Sequence, residues 1–167
     1  RLATGAGSNA TLNINSGWLK VEDAAYGLGN GEVVIAAHPA ATAALNLTGG
    51  RLIAKTLSKS AGGSFNFTGG VLSANTINFD LVNNGGTLAP GESPGSTIIK
   101  GDFTTNSGAL EIELLSTASY DTVAVADDVA LGGNLIVRLL NNFAPNPLDT
   151  FTLLAGDSFS GSFAYLS

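Results

Sequence analysis

Ala44-Leu45-Asn46-Leu47-Thr48-Gly49-Gly50-Arg51-Leu52 returns as Ser64-Phe65-Asn66-Phe67-Thr68-Gly69-Gly70-Val71-Leu72. A looser copy, Phe79-Asp80-Leu81-Val82-Asn83-Asn84-Gly85-Gly86-Thr87-Leu88, follows at a shorter offset. Thr11-Leu12-Asn13-Ile14-Asn15-Ser16-Gly17-Trp18-Leu19 comes first, and the gap after it is wide enough for a hidden copy near Gly31 to Ile35. Each unit sets apolar side chains two apart, as in Leu12 and Ile14, Leu45 and Leu47, or Phe65 and Phe67. That period places both on one face of a strand. Glycines then allow a sharp turn, and we assign this role to Gly17, Gly49, Gly50, Gly69, Gly70, Gly85 and Gly86, with Gly132 and Gly133 further on. A unit this short cannot bury its apolar face alone, whereas stacked copies share one core. Hairpins around Gly-Gly turns are the competing reading. The repeated order of apolar pair, polar residue and glycine turn favours the stack. Four or five coils at roughly 4.8 Å would make a stub about 20–25 Å long.

The rest of the composition fits that reading. The 167 residues carry 12% charged and 44% hydrophobic side chains, 22 glycines and a net charge of −6. This is too apolar for a disordered chain and long enough for a real core. Glycine follows no collagen-like period, which excludes a triple helix. Seven scattered basic residues make no phosphate footprint, so nucleic acid is not an expected partner. No apolar run is long enough for a membrane-spanning helix. Cysteine is absent, which removes disulfides, thiol catalysis and cysteine-ligated metal. The chain starts at Arg1, so a processed or excised piece is expected.

Charge divides the chain. Residues 1–86 hold four acids and five bases, and residues 87–167 hold nine acids and two bases. We divide it into Gly/Asn-rich solenoid repeats over 1–88 and an acidic solenoid and capping section over 89–167. The turn-rich segment 85–95 reads as a corner within one fold or a linker between two, and the short length favours the corner. The alanines at 24, 36, 37, 40, 41, 43 and 44 are interrupted by Pro39, Gly27, Gly29 and Gly31 and never settle to a helical period, so loops are expected there. In the second section Thr97-Ile98-Ile99, Ala109 to Leu115, Asp121 to Ala126, Leu135 to Leu140 and Phe151 to Leu154 read as longer strands. They are expected to close the exposed end of the stack.

The segment Asn84 to Leu154 resembles the downstream region of bacterial autotransporter passenger proteins and related repeat-rich surface proteins. The resemblance runs through Gly86-Thr87-Leu88-Ala89-Pro90-Gly91, Gly108-Ala109-Leu110-Glu111-Ile112-Glu113-Leu114, Tyr120-Asp121-Thr122-Val123 and Asp149-Thr150-Phe151-Thr152-Leu153-Leu154. The Gly-Gly repeats from Ala44 to Leu72 look like the β-strand repeats of the same proteins. The resemblance implies an all-β fold, a right-handed parallel β-helix on the bacterial cell surface or outside the cell. It acts there as a stalk, adhesin or display scaffold. It carries no catalytic motif with it.

Candidate sites are sparse. Glu111 and Glu113 lie two apart on one strand, so their carboxylates share a face at roughly 6.5–7 Å, within reach of glycoside chemistry. A solvated strand face is the plainer reading. Asp127-Asp128 reads as a turn; calcium there would draw oxygens from Asp121 or Asp102, without a spaced calcium loop. His38, beside Pro39, has no visible partner and reads as a loop histidine. Ser58, Ser60, Ser64, Ser93 and Ser96 lack a nucleophile context. Trp18, Tyr26, Tyr120 and Tyr165 could stack on a glycan, although core or turn packing is favoured. Asn13, Asn46 and Asn66 recur at matching positions and are expected to pair along the stack or support the adjacent turn. The leading expectation is a non-enzymatic structural or adhesive scaffold without metal or cofactor, meeting a second copy or a surface or matrix polymer. A glycan-binding module is the alternative, and a polysaccharide-active enzyme comes third.

Overall fold

A computed structural model describes residues 1–22 and 31–167. Tyr26, with Ala24, Gly27 and Gly29, lies outside the described residues. The strands are β1 (Asn9–Ile14), β2 (Trp18–Val21), β3 (Glu32–Ile35), β4 (Thr42–Lys59), β5 (Gly63–Ile77), β6 (Leu81–Leu88), β7 (Ser96–Ile99) and β8 (Phe103–Ser116). They continue as β9 (Ser119–Tyr120), β10 (Thr122–Val125), β11 (Val129–Leu131), β12 (Asn134–Leu139), β13 (Leu154–Ala155), β14 (Phe159–Gly161) and β15 (Tyr165–Leu166). All belong to one curled sheet. Every pairing among the described residues is parallel except that of β8 with β9.

Pairing runs in three ladders, which the chain visits in a fixed order. The first joins β1, the start of β4, the start of β5, β6, the start of β8, β11 and β14. The second joins β2, the middles of β4 and β5, the end of β6, the later part of β8, β12 and β15. The third joins β3, the ends of β4 and β5, β7, β10 and β13. The described residues form a solenoid-like stack of six coils and two strands of a seventh, with about 30 Å between the first and last at ordinary strand spacing. Parallel strands in successive coils replace the hairpins that similar local sequence could have formed. The ladders run on through residues 88–89.

Period-two side chains from the three ladders converge on one core. Leu45, Leu47, Phe67, Leu81 and Phe103 come from the first; Leu52, Leu72, Leu88, Leu110 and Ile112 from the second; Ile35, Leu57, Ile77 and Ile99 from the third. Each is almost fully buried, contributing about 1.5–3 kcal/mol apiece.

Two expectations change. Gly31 to Ile35 is not a separate copy: β3 pairs with Glu32 opposite Thr56 and is the third side of the first coil. The long first offset applies to two sides only. Asn9 pairs with Thr42 and Trp18 with Arg51, whereas Glu32 reaches a partner much nearer in sequence. The longest strands also fall in the first half, with 18 residues in β4 and 15 in β5. Pairing continues around the Gly-Gly corners with only a local register shift, so two or three short sides form one bent strand. After β8 the strands shorten to two to six residues. There Phe159 and Leu166 continue the inward columns of Val129 and Leu135, yet are 52% and 74% exposed at the end of the stack.

Candidate functional site

The outer face of the second ladder is crossed by a strap, residues 89–95, between β6 and β7. Its Pro and Gly content favours an arch over a direct turn, and Gly91 adopts φ +54°. The strap leaves the ladder with Ala89 N–H donating to the Leu72 carbonyl at 2.9 Å. It reaches back to the first coil, where Glu92 meets the Lys20 ammonium at 2.9 Å and Glu22 meets the same ammonium at 2.6 Å. These hydrogen-bonded carboxylates hold Lys20 above its ordinary pKa, and Lys20 in turn lowers Glu92.

The far end of the strap is held by Asp121, which is only 2% exposed. Gly95 N–H donates to one carboxylate oxygen at 2.6 Å and Glu113 N–H to the other at 2.8 Å. Burial raises the Asp121 pKa; the two N–H bonds oppose the rise, and the Glu113 and Glu111 charges add to it.

The strap separates two clefts. The larger, about 640 Å³, spans the first three coils and includes Lys20, Glu22, Ile53, Lys55, Asn75 and Glu92 in its walls. The smaller, about 140 Å³, is lined by Arg51, Pro90, Ser93, Glu111, Glu113 and Asp121, among others. Glu111 and Glu113 thus share a cleft, and Asp121 joins them from the turn before β10. The Arg138 guanidinium holds Glu111 at 2.9 Å. Arg51 donates to Ser73 Oγ at 3.0 Å.

The other carboxylates lie at a different corner. Asp80, Asp102 and Asp128 stack where the third ladder turns into the first. Asp102 N–H donates to Asp80 and Asp128 N–H to Asp102, both at 3.1 Å, and Ser158 Oγ donates to Asp128 at 2.7 Å. Asp127 stands beside this column, so the structure separates Asp121 from Asp127-Asp128. Among the described residues no group of three or more His, Asp or Glu side chains is arranged to hold a metal ion. No helix among them is long and apolar enough to cross a membrane.

His38 lies in the turn before β4, its Nδ1 accepting Ala40 N–H at 3.1 Å. Ser58 donates to Glu32 at 2.9 Å, and Ser64 lies 3.5 Å from the Ala43 carbonyl. Ser60 sits between β4 and β5, Ser93 in the strap and Ser96 at the start of β7. Asn13, Asn46 and Asn66 form an exposed ladder. Asn46 donates to Asn13 at 2.7 Å and Asn66 to Asn46 at 2.6 Å. The nine turn glycines, from Gly17 through Gly49, Gly50, Gly69, Gly70, Gly85 and Gly86 to Gly132 and Gly133, all line the corner between the first and second ladders. Gly108, not singled out in the sequence, belongs to the same column: a Cβ there would meet Gly86 backbone.

Trp18 corrects an expectation. It packs in no core, being 73% exposed on the outer face of β2. Leu19 and Val21 turn inward, so alternation sends Trp18 and Lys20 out; the Trp18-Leu19-Lys20-Val21 pattern carried that signal. Tyr165, 74% exposed, ends the same outward column, which begins with Trp18 opposite Arg51 and runs on through Val71, Thr87, Ala109 and Asn134. Tyr120 instead packs against Phe151 with ring centroids 5.2 Å apart, and Phe151 against Phe143 at 6.3 Å.

No family model matches the chain, and neither does any curated protein or solved structure.

Proposed function

We propose that this chain is a non-enzymatic structural segment of a secreted or bacterial cell-surface protein. In that reading it is a right-handed parallel β-helix, like those of autotransporter passengers, that extends or displays its parent protein or supports adhesion. The observation that carries the reading is the continuity of the three parallel ladders over six coils. Each coil hydrogen-bonds the next on every side, which makes a stiff unit that transmits length. The Asn13–Asn46–Asn66 ladder adds side-chain bonds along the same axis. Glu111 is engaged by the Arg138 guanidinium at 2.9 Å.

The test places the chain between a surface anchor and an epitope on bacterial cells. The expected result is an epitope that antibody reaches on intact cells, with the chain itself resisting brief proteolysis. Release of reducing ends from pectin, xylan or β-glucan by the purified chain, lost in Glu111→Gln, would overturn the non-enzymatic role.

A further inference from the structure

The larger cleft and an exposed aromatic ring of the first coil stand on one face of the molecule. Trp18 precedes Lys20 by two positions on the outward side of β2, so the two are about 6.6 Å apart along the strand. Lys20 lines the cleft. The cleft crosses three coils, with Lys20 in the first, Ile53 and Lys55 in the second and Asn75 in the third. Its length therefore follows the stack axis over about 10 Å.

The lining has a distinct chemistry. Two ammonium groups, Lys20 and Lys55, share it with two carboxylates, Glu22 and Glu92, so the formal charge of these four side chains cancels. A polyanion would meet both carboxylates and a polycation both lysines. Asn75, Thr56, Thr76 and Ser96 add amide and hydroxyl groups that both donate and accept, while Ile53 supplies carbon surface. Trp18 leaves a flat apolar ring in water, and burying such a surface is favourable. A ligand suited to all of this is rich in hydroxyls, uncharged, flat and apolar on one side, and extended. Pyranose rings in a chain have those properties.

We propose that the strap cleft and the Trp18 face beside it bind a neutral polysaccharide. The hydroxyls hydrogen-bond the cleft walls, and one sugar ring stacks on Trp18. The strap sets the width of the cleft, and the Lys20–Glu92 contact holds the strap in place. Mutual pairing keeps both groups charged across the neutral pH range, so the charge balance of the wall persists there. Binding here is independent of whether the coils also serve as a stalk.

Trp18 is the chain's single tryptophan and therefore its own reporter. The probes are cellohexaose, maltohexaose, β-1,4-mannohexaose and chitohexaose, with heparin as a polyanionic control, followed by tryptophan emission and titration calorimetry. The expected result is a saturable blue shift and measurable heat with at least one neutral hexasaccharide. Trp18→Ala and Asn75→Ala each weaken the binding read by calorimetry about tenfold or more, as removal of an anchor at a binding surface does. Trp18→Tyr retains most of the binding, and Tyr165→Ala, at the other end of the molecule, leaves it unchanged. Circular dichroism confirms that each variant is folded, and Trp18→Tyr and Tyr165→Ala keep the test valid if an alanine variant in the cleft is not. Silence with all four sugars, a response to heparin alone, or full binding by folded Trp18→Ala would each overturn the proposal.

Discussion

The coils of β4 and β5 repeat one another side by side, with the same spacing on both flanks of the Gly-Gly corner: Leu45 lies opposite Phe65 and Leu52 opposite Leu72. The coils that follow keep the three ladders and abandon the spacing. The step from β5 to β6 is shorter, pairing Phe67 with Asn83. That from β5 to β7 is longer, pairing Thr76 with Ile98, and β7 to β10 is longer again, pairing Thr97 with Val123. Inward positions are apolar in both regions except at Asn83, Thr97 and Thr105 in the second, because each region must fill a close-packed interior. Corners face water and accept extra residues at small entropic cost. Length variation therefore collects at corners, and both clefts lie beside the one occupied by the strap. The regular region makes the stack; the irregular region makes the surface features.

The sharpest difference lies where the two regions join. Phe67 stands opposite Asn83, and its ring fills the space that a Cβ on Gly86 would need. Phe67→Ala is expected to cost about 3–5 kcal/mol and Gly86→Ala about 1–3 kcal/mol. In the double variant the alanine enters the vacated space, so the two costs fall short of additive. Urea unfolding of the four proteins measures this coupling, and strict additivity would separate the two sites.

A smaller effect compares an inner turn with the outermost one. Gly70 and Gly17 share positive φ, at +70° and +67°, so alanine costs each about 1–2 kcal/mol of backbone strain. At Gly70 the new Cβ would also sit 2.6 Å from the Gly49 carbonyl oxygen, whereas at Gly17 it meets nothing within 4 Å. Gly70→Ala should therefore lower the denaturation midpoint clearly more than Gly17→Ala. Equal losses would show that coil-to-coil approach does not select glycine at this corner.

The smallest effect concerns pH at the two ends of the strap. The native pKa of Asp121 is raised above its ordinary 3.8, so its contribution to stability is full below that value and is lost as pH rises through the native pKa. Glu92 is lowered from its ordinary 4.5, so its contribution is present above that value and is lost as pH falls through the native pKa. Carboxyl-carbon NMR titrations should place the Asp121 midpoint above 3.8 and the Glu92 midpoint below 4.5. The Gly95 amide resonance should follow Asp121. Midpoints displaced in the same direction would mean that the strap ends do not differ as described.

Some of the surface is legible without the fold. Asn46 and Asn66 occupy matching places in adjacent repeats, and parallel stacking in register brings matching places together. Trp18 is harder: the strand period points it outward, but the usual burial of large aromatic residues outweighs alternation over so short a strand. Glu111 and Glu113 are legible as neighbours on one strand, but Asp121 and Arg51 are not legible as theirs. Arg51 and Glu111 lie far apart in the chain, and nothing local in either segment specifies that they line one cleft. The same holds for Lys20 and Glu92, which come from opposite sides of the whole regular region.

By itself, the sequence determined that period-two strands alternate with glycine corners and that each unit must find shelter against its neighbours, because an apolar pair on so short a unit cannot bury itself. Tertiary structure alone decided which segment closes the first coil, where the strap lands and which charges it brings together. Those outcomes depend on how corner length accumulates from coil to coil, a sum over the whole stack that no single repeat contains.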